Sequence, residues 1–132
     1  MKIIGTGVDL VEVPRFEKVV KCWGNRFLRR IFTLAELRYA QSRRTVTQHL
    51  AVRFAAKEAV VKALGAPKGL GLKWHDLEIH RASTGQPEVR LHGSMHRWSN
   101  FTIHLSLTHT DQYAVATALV STPASQRKIS KR

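Results

Sequence analysis

Asp9 and Glu58 are two of only nine acidic residues in a chain of 132, and each is set in a run of small or apolar residues. Asp9 lies in Gly5-Thr6-Gly7-Val8-Asp9-Leu10-Val11-Glu12. Glu58 lies in the longer stretch Leu50-Ala51-Val52-Arg53-Phe54-Ala55-Ala56-Lys57-Glu58-Ala59-Val60-Val61-Lys62-Ala63-Leu64-Gly65. On a helix, Glu58 and Lys62 project from one face, as do Arg53 and Lys57. A carboxylate ringed by cations can hold a divalent metal while the cations hold phosphates, so the pattern points to phosphate chemistry. The small apolar flanks Ala55, Ala56, Ala59, Val60 and Val61 predict a helix packed on several sides. A partly buried carboxylate there requires a partner, and a metal shared with Asp9 would provide one. Two hard oxygen ligands with positions left for water or phosphate suit magnesium. The competing readings are ordinary. Asp9 can cap a turn, and Glu58 can be a surface carboxylate paired with Lys62, worth about 0.3–0.5 kcal/mol.

Other motifs carry less. Gly65–Gly71 is glycine-rich but lacks the GxxxxGK[ST] form of a P-loop, leaving a helix stop or a loop whose backbone covers a nucleotide. Thr108-His109 ends an apparent strand, where a hydroxyl and an imidazole can bind phosphate. His92 and His96 stand four apart with no further ligand evident, so a solvated pair is expected rather than zinc. No GxSxG elbow is present, and acyl hydrolysis gains no support. Cys22 is the single cysteine and forms no internal disulfide.

The formal net charge of +13 calls for an anionic partner. Residues 121–132 hold four cations and no acid, read as a basic, disordered tail; residues 1–120, read as a single domain, retain +9. Arg15, Lys18, Lys21, Arg26, Arg29 and Arg30 form a basic face denser than solubility requires. Trp23, Phe27 and Phe32 read as an apolar face rather than as base-stacking groups, so an acidic protein fits better than nucleic acid. No apolar run reaches the roughly 18 residues of a membrane span, and no signal-peptide pattern opens the chain, so a cytoplasmic protein is expected.

These residues need elements to position them. Lys2–Val8 reads as a strand that places Asp9 at its exit. Pro14 opens a helix to about Cys22 or Trp23, with Phe16, Val19, Val20 and Trp23 on its apolar face. Phe27–Phe32 reads as a short helical turn. Thr33-Leu34-Ala35-Glu36 has capping-box spacing and starts a helix to about Ser42. The long helix runs from about Gln48 to Leu64 and stops at Gly65. Strands follow at about Leu77–Arg81, Glu88–Leu91, Phe101–Thr108 and Tyr113–Leu119, with a short helix at Gly93–Ser99. Helices first and strands later, with no βαβ alternation, predict an α+β fold.

GTGVDLVEVPR followed by LAVRFAAKEAVVKALG resembles the holo-acyl-carrier-protein synthases of the 4′-phosphopantetheinyl transferase superfamily. The likeness covers about residues 3–120 and includes Asp76-Leu77-Glu78-Ile79, Gly85-Gln86-Pro87 and Ser106-Leu107-Thr108-His109. It implies transfer of 4′-phosphopantetheine from coenzyme A to a serine of an apo acyl carrier protein, releasing adenosine 3′,5′-bisphosphate. By the same resemblance Asp9 and Glu58 match the magnesium ligands, and Lys62 matches a basic group at the pyrophosphate. Arg53 and His109, with Thr108, would grip coenzyme phosphates, and a loop holding Gly65, Gly69 and Gly71 would border the adenine. The family implies a homotrimer with sites at subunit interfaces, an acidic carrier protein docking on Arg15, Lys18 and Arg26, and a place in fatty acid biosynthesis. The serine's base stays open between Glu58, a metal-bound water and another group. Thr108 departs from the usual serine, a conservative hydroxyl exchange. The alternatives are a non-catalytic RNA-binding domain and an inactive homologue that docks carrier protein.

Overall fold

The computed structural model describes residues 1–66 and 72–123. Its elements run β1 (Ile3–Glu12), α1 (Val13–Ile31), α2 (Leu34–Gln41), α3 (Val46–Leu64), β2 (Leu77–Arg81), β3 (Pro87–Leu91), β4 (Thr102–His109) and β5 (Tyr113–Ser121). Short 3-10 turns span Trp74–Asp76 and Gly93–Trp98. The order is the expected α+β one. Residues 67–71, with Gly69 and Gly71, and the tail from 124 lie outside the described residues.

An antiparallel sheet in the order β1-β5-β4 forms one layer, and β2 and β3 form a separate antiparallel hairpin. The long helix α3 packs across the sheet's inner face. Its buried Ala55, Ala56, Ala59 and Ala63 meet Ala116, Ala118 and Val120 of β5 in one core cluster. Small side chains on both surfaces let the layers close tightly. At β1 the approach is closer still. A Cβ at Gly5 would come 2.2 Å from the Ala63 carbonyl oxygen, and one at Gly7 would come 2.0 Å from that of Ala59. Only glycine fits where backbone meets backbone at that range.

This corrects the strand expected at the N-terminus. The glycines do not end β1; they turn toward α3 while pairing with β5 continues from Gly5–Val120 to Glu12–Tyr113. Asp9 therefore stands within the strand, opposite Ala116, rather than at its exit. Strand alternation puts Gly5, Gly7, Asp9 and Val11 on the helix side. Val8 and Leu10 point the other way and are more than half exposed, as is Tyr113.

The first helix also differs. It begins with Pro14 in its first turn, as expected, but continues to Ile31 through a break at Gly24, whose φ is 60° and ψ −148°. Phe27, beyond the break, packs on Phe16 at 6.0 Å between ring centroids and on Phe54 at 6.5 Å. Phe27 thus occupies the core side that simple periodicity gave to Trp23, and Trp23 is 65% exposed. The capping box at Thr33 and Glu36 forms as its spacing predicts, and Gly65 ends α3 in the left-handed conformation. No helix among the described residues is long and apolar enough to cross a membrane.

Candidate functional site

β1 and α3 bring Asp9 and Glu58 to the wall of one cleft of about 370 Å³. Arg15 from the start of α1 lines the same cleft, whose apolar side is made by Phe16, Phe27 and Phe54. The site residue joining strand to helix is Lys62. Its ammonium lies 3.0 Å from Asp9 Oδ1 and donates to the Val8 carbonyl at 3.1 Å. The Lys62 side chain is half exposed, whereas that of Asp9 is only 17% exposed. A lysine held at an open mouth against an inner carboxylate can turn to an incoming phosphate.

Two of the cations flanking Glu58 in sequence, Lys57 and Arg53, are engaged by partners on other elements. Lys57 points into the core with a fully buried ammonium, 2.8 Å from Glu36 Oε1. It also donates to the carbonyls of Trp74 and Leu77. Burial pushes this lysine below its ordinary pKa, and the Glu36 charge opposes that shift. Glu36 accepts from the Thr33 amide through Oε1 and from the Ile79 amide through Oε2. This buried pair was missed because its partners are distant in sequence and Glu36 already explains itself as a cap.

Arg53 belongs to a second cluster. It is 2% exposed and stacks over the Tyr39 ring with its guanidinium carbon 4.2 Å from the centroid. Arg43 and Arg81 lie against the same ring at 4.9 and 5.8 Å. Arg43 donates two hydrogen bonds to the Tyr39 hydroxyl. Burial alone would raise the Tyr39 phenol, yet those bonds and the arginine charges bring it below its ordinary value. His49 fits edge-on between Tyr39, at 5.7 Å, and His109, at 5.3 Å. The structure thus brings Arg53 and His109 into one basic cluster, as a shared phosphate would require. Thr108 is exposed and, by strand alternation, stands on the opposite face of β4 from His109. Neither Arg53 nor His109 lines the Asp9–Glu58 cleft.

Of the residues expected from the sequence to meet a carrier protein, Arg15 opens on the cleft and Lys18 is exposed. Arg26 lines a neighbouring hollow of about 550 Å³ with Trp23 and Arg30. The two hollows share Val19 and Phe27, so the basic face of α1 runs into the cleft.

Two carboxylates on different elements that line one open cleft are of a chemistry that fits a divalent cation with water and phosphate oxygens completing the shell. An α+β fold presenting that pair beside a lysine, with a basic cluster built partly on the same helix, suits phosphate chemistry. Comparison with known proteins narrows the class. Residues 5–118 match the model of the 4′-phosphopantetheinyl transferase superfamily. A holo-[acyl-carrier-protein] synthase of Koribacter versatilis is 44% identical over 122 residues, covering 89% of this chain and 98% of the relative. The crystal structure of holo-[acyl-carrier-protein] synthase from Neisseria meningitidis superposes with a TM-score of 0.81 at 28% identity, covering 90% of this chain and 98% of that one. That of a holo-(acyl-carrier-protein) synthase from Bacillus anthracis in complex with coenzyme A (3′,5′-ADP) gives 0.77 at 31% identity, covering 92% and 99%. The chain belongs to the 4′-phosphopantetheinyl transferase superfamily.

Proposed function

We propose that this protein transfers 4′-phosphopantetheine from coenzyme A to a serine of an apo acyl carrier protein. The observation that carries the reading is the convergence of Asp9, Glu58 and Arg15 on one cleft, with Lys62 bound to Asp9 at its edge. Coenzyme A bound to the Bacillus anthracis relative supports the donor. The serine oxygen bonds to the phosphorus bearing pantetheine. The bond from that phosphorus to the bridging oxygen breaks, the serine loses its proton, and adenosine 3′,5′-bisphosphate leaves.

Asp9 and Glu58 would hold magnesium, which when bound supplies positive charge against the breaking phosphoanhydride. Lys62 neutralises the departing phosphate. Phe16, Phe27 and Phe54 exclude water from one side of the cleft and orient the arm of the donor. Arg53 and His109 bind coenzyme phosphates; Thr108, on the opposite face of β4, does not join them within one chain. Arg15, Lys18 and Arg26 receive the acidic carrier, and exposed Trp23 adds an apolar contact that the sequence had not suggested.

A homotrimer is the proposed assembly. The sheet face bearing Val8, Leu10 and Tyr113 is uncovered in one chain, and apolar area of that kind favours burial against a second copy. Because Arg53 and His109 stand outside the Asp9–Glu58 cleft, a site shared between copies would unite the two clusters. A lone exposed cysteine and a coenzyme A substrate fit a cytoplasmic, reducing setting.

Intact-mass analysis of apo acyl carrier protein, incubated with this protein, coenzyme A and magnesium, tests the reading. A magnesium-dependent gain of about 340 Da, one phosphopantetheinyl group, is expected, and EDTA should abolish it. No gain on several apo carriers by folded protein would reject the enzyme and favour carrier docking without transfer.

A further inference from the structure

The basic cluster holds more positive groups than an unliganded protein gains from. Arg43, Arg53 and Arg81 share the face of Tyr39, while His109 closes the other side of His49. The groups come from four elements and their flanks. Tyr39 is from α2, Arg43 follows it, His49 and Arg53 are from α3, Arg81 is from β2 and His109 from β4. Glu36 is a carboxylate whose charge acts on Arg53, and it is already bound to Lys57. At the base, the buried Arg53 Nε has no hydrogen-bond partner among the described residues. Arg43, Arg81 and His109 are exposed, so the cluster opens to solvent above that base.

His49 sits at the centre of this charge. Burial first, then the charges of Arg53, His109, Arg43 and Arg81, hold its imidazole down at about 4. It is therefore neutral at physiological pH, and another cation would only add to the repulsion. An arriving phosphate monoester reverses that balance. Its dianion pairs with the guanidiniums and opposes the part of the shift that their charges cause, while its own negative charge favours a proton on His49 despite the burial.

We propose that the Tyr39–His49–Arg53–His109 cluster is a proton-coupled receptor for a phosphate monoester, in which binding of the dianion places a proton on His49. The inference rests on the coenzyme A reading, whose donor and nucleotide product each carry a 3′-phosphate monoester. The proton comes from solvent, or from a ligand that arrives as the monoanion, since a monoester's second ionisation lies at about 6 and the monoanion becomes the dianion by giving that proton to the imidazole. His49 then becomes a further donor beside the arginines and His109. Because the protonated form binds better, affinity gained through His49 rises as pH falls below the imidazole's liganded value and vanishes well above it.

The test is a pH titration of the histidine ring protons of the full chain by NMR, with and without saturating adenosine 3′,5′-bisphosphate, with the signal assigned by its loss in His49→Phe. The midpoint of His49 should rise by about two pH units on nucleotide binding. Wild type should then bind the nucleotide about tenfold more tightly, relative to His49→Phe, at pH 5 than at pH 8. A midpoint that stays put with nucleotide bound, or a shift confined to His109, overturns the proposal. Absence of nucleotide binding overturns it too. Transfer activity of the same preparation separates the failures. An active enzyme with an unmoved His49 loses the proton coupling alone, whereas a folded chain that neither binds nucleotide nor transfers loses the coenzyme reading as well.

Discussion

Lys62 holds Asp9 at 3.0 Å, and the same helix presents Glu58 to the cleft one turn earlier. Glu58→Gln keeps the side chain's shape and removes the charge a cation would use. Its kcat with saturating coenzyme A and carrier should fall by about 10²–10³, the range for losing one preorganised electrostatic partner of a transition state. Near-wild-type turnover at limiting magnesium would sink the metal assignment. The meeting of Asp9 and Glu58 at one cleft was legible in the sequence because an acid among alanines and valines is costly unless it has a partner. The destinations of the neighbouring cations were not. Helical spacing groups Arg53 with Lys57, yet Lys57 is claimed by Glu36 and Arg53 by Tyr39, contacts fixed only when α2 docks on α3.

At the scale of elements, the Lys57–Glu36 pair is the tie that gathers α2, α3 and the start of β2. Its ammonium reaches the carbonyls of Trp74 and Leu77, and its carboxylate reaches the amide of Ile79. Trp74 in turn packs on Phe54 at 6.0 Å, and Phe54 walls the cleft. Lys57→Met strands the Glu36 carboxylate in the core and should cost about 3–5 kcal/mol in urea unfolding. Adding Glu36→Gln should return part of that loss. A single-variant cost below about 1 kcal/mol would mean that the pair is not what ties these elements. Element ends follow local chemistry where a cap or glycine dictates them, as at Thr33 and Gly65. They elude it where tertiary contact decides. Gly5 and Gly7 read as strand breakers but are the closest backbone contact β1 makes with α3, and Gly24 breaks a helix without ending it.

For the whole molecule, the uncovered sheet face should be the assembly surface. Leu10 is 56% exposed there in a single chain, and Leu10→Glu would place a charge in an apolar contact between copies. Sedimentation equilibrium should find three chain masses for wild type and one for the variant. Three for both would remove this face from the assembly. The α+β order was readable from the succession of helical and alternating patterns, whereas the pairing β1-β5-β4 joins chain ends that no local pattern connects. The closeness of β1 to α3 also bears on heredity. Every missense change at Gly5 or Gly7 adds a carbon where a carbonyl oxygen stands about 2 Å away, so it pushes the strand carrying Asp9 off the helix carrying Glu58. Two residues without side chains would thus be purged of variants as strictly as the carboxylates whose separation they gauge.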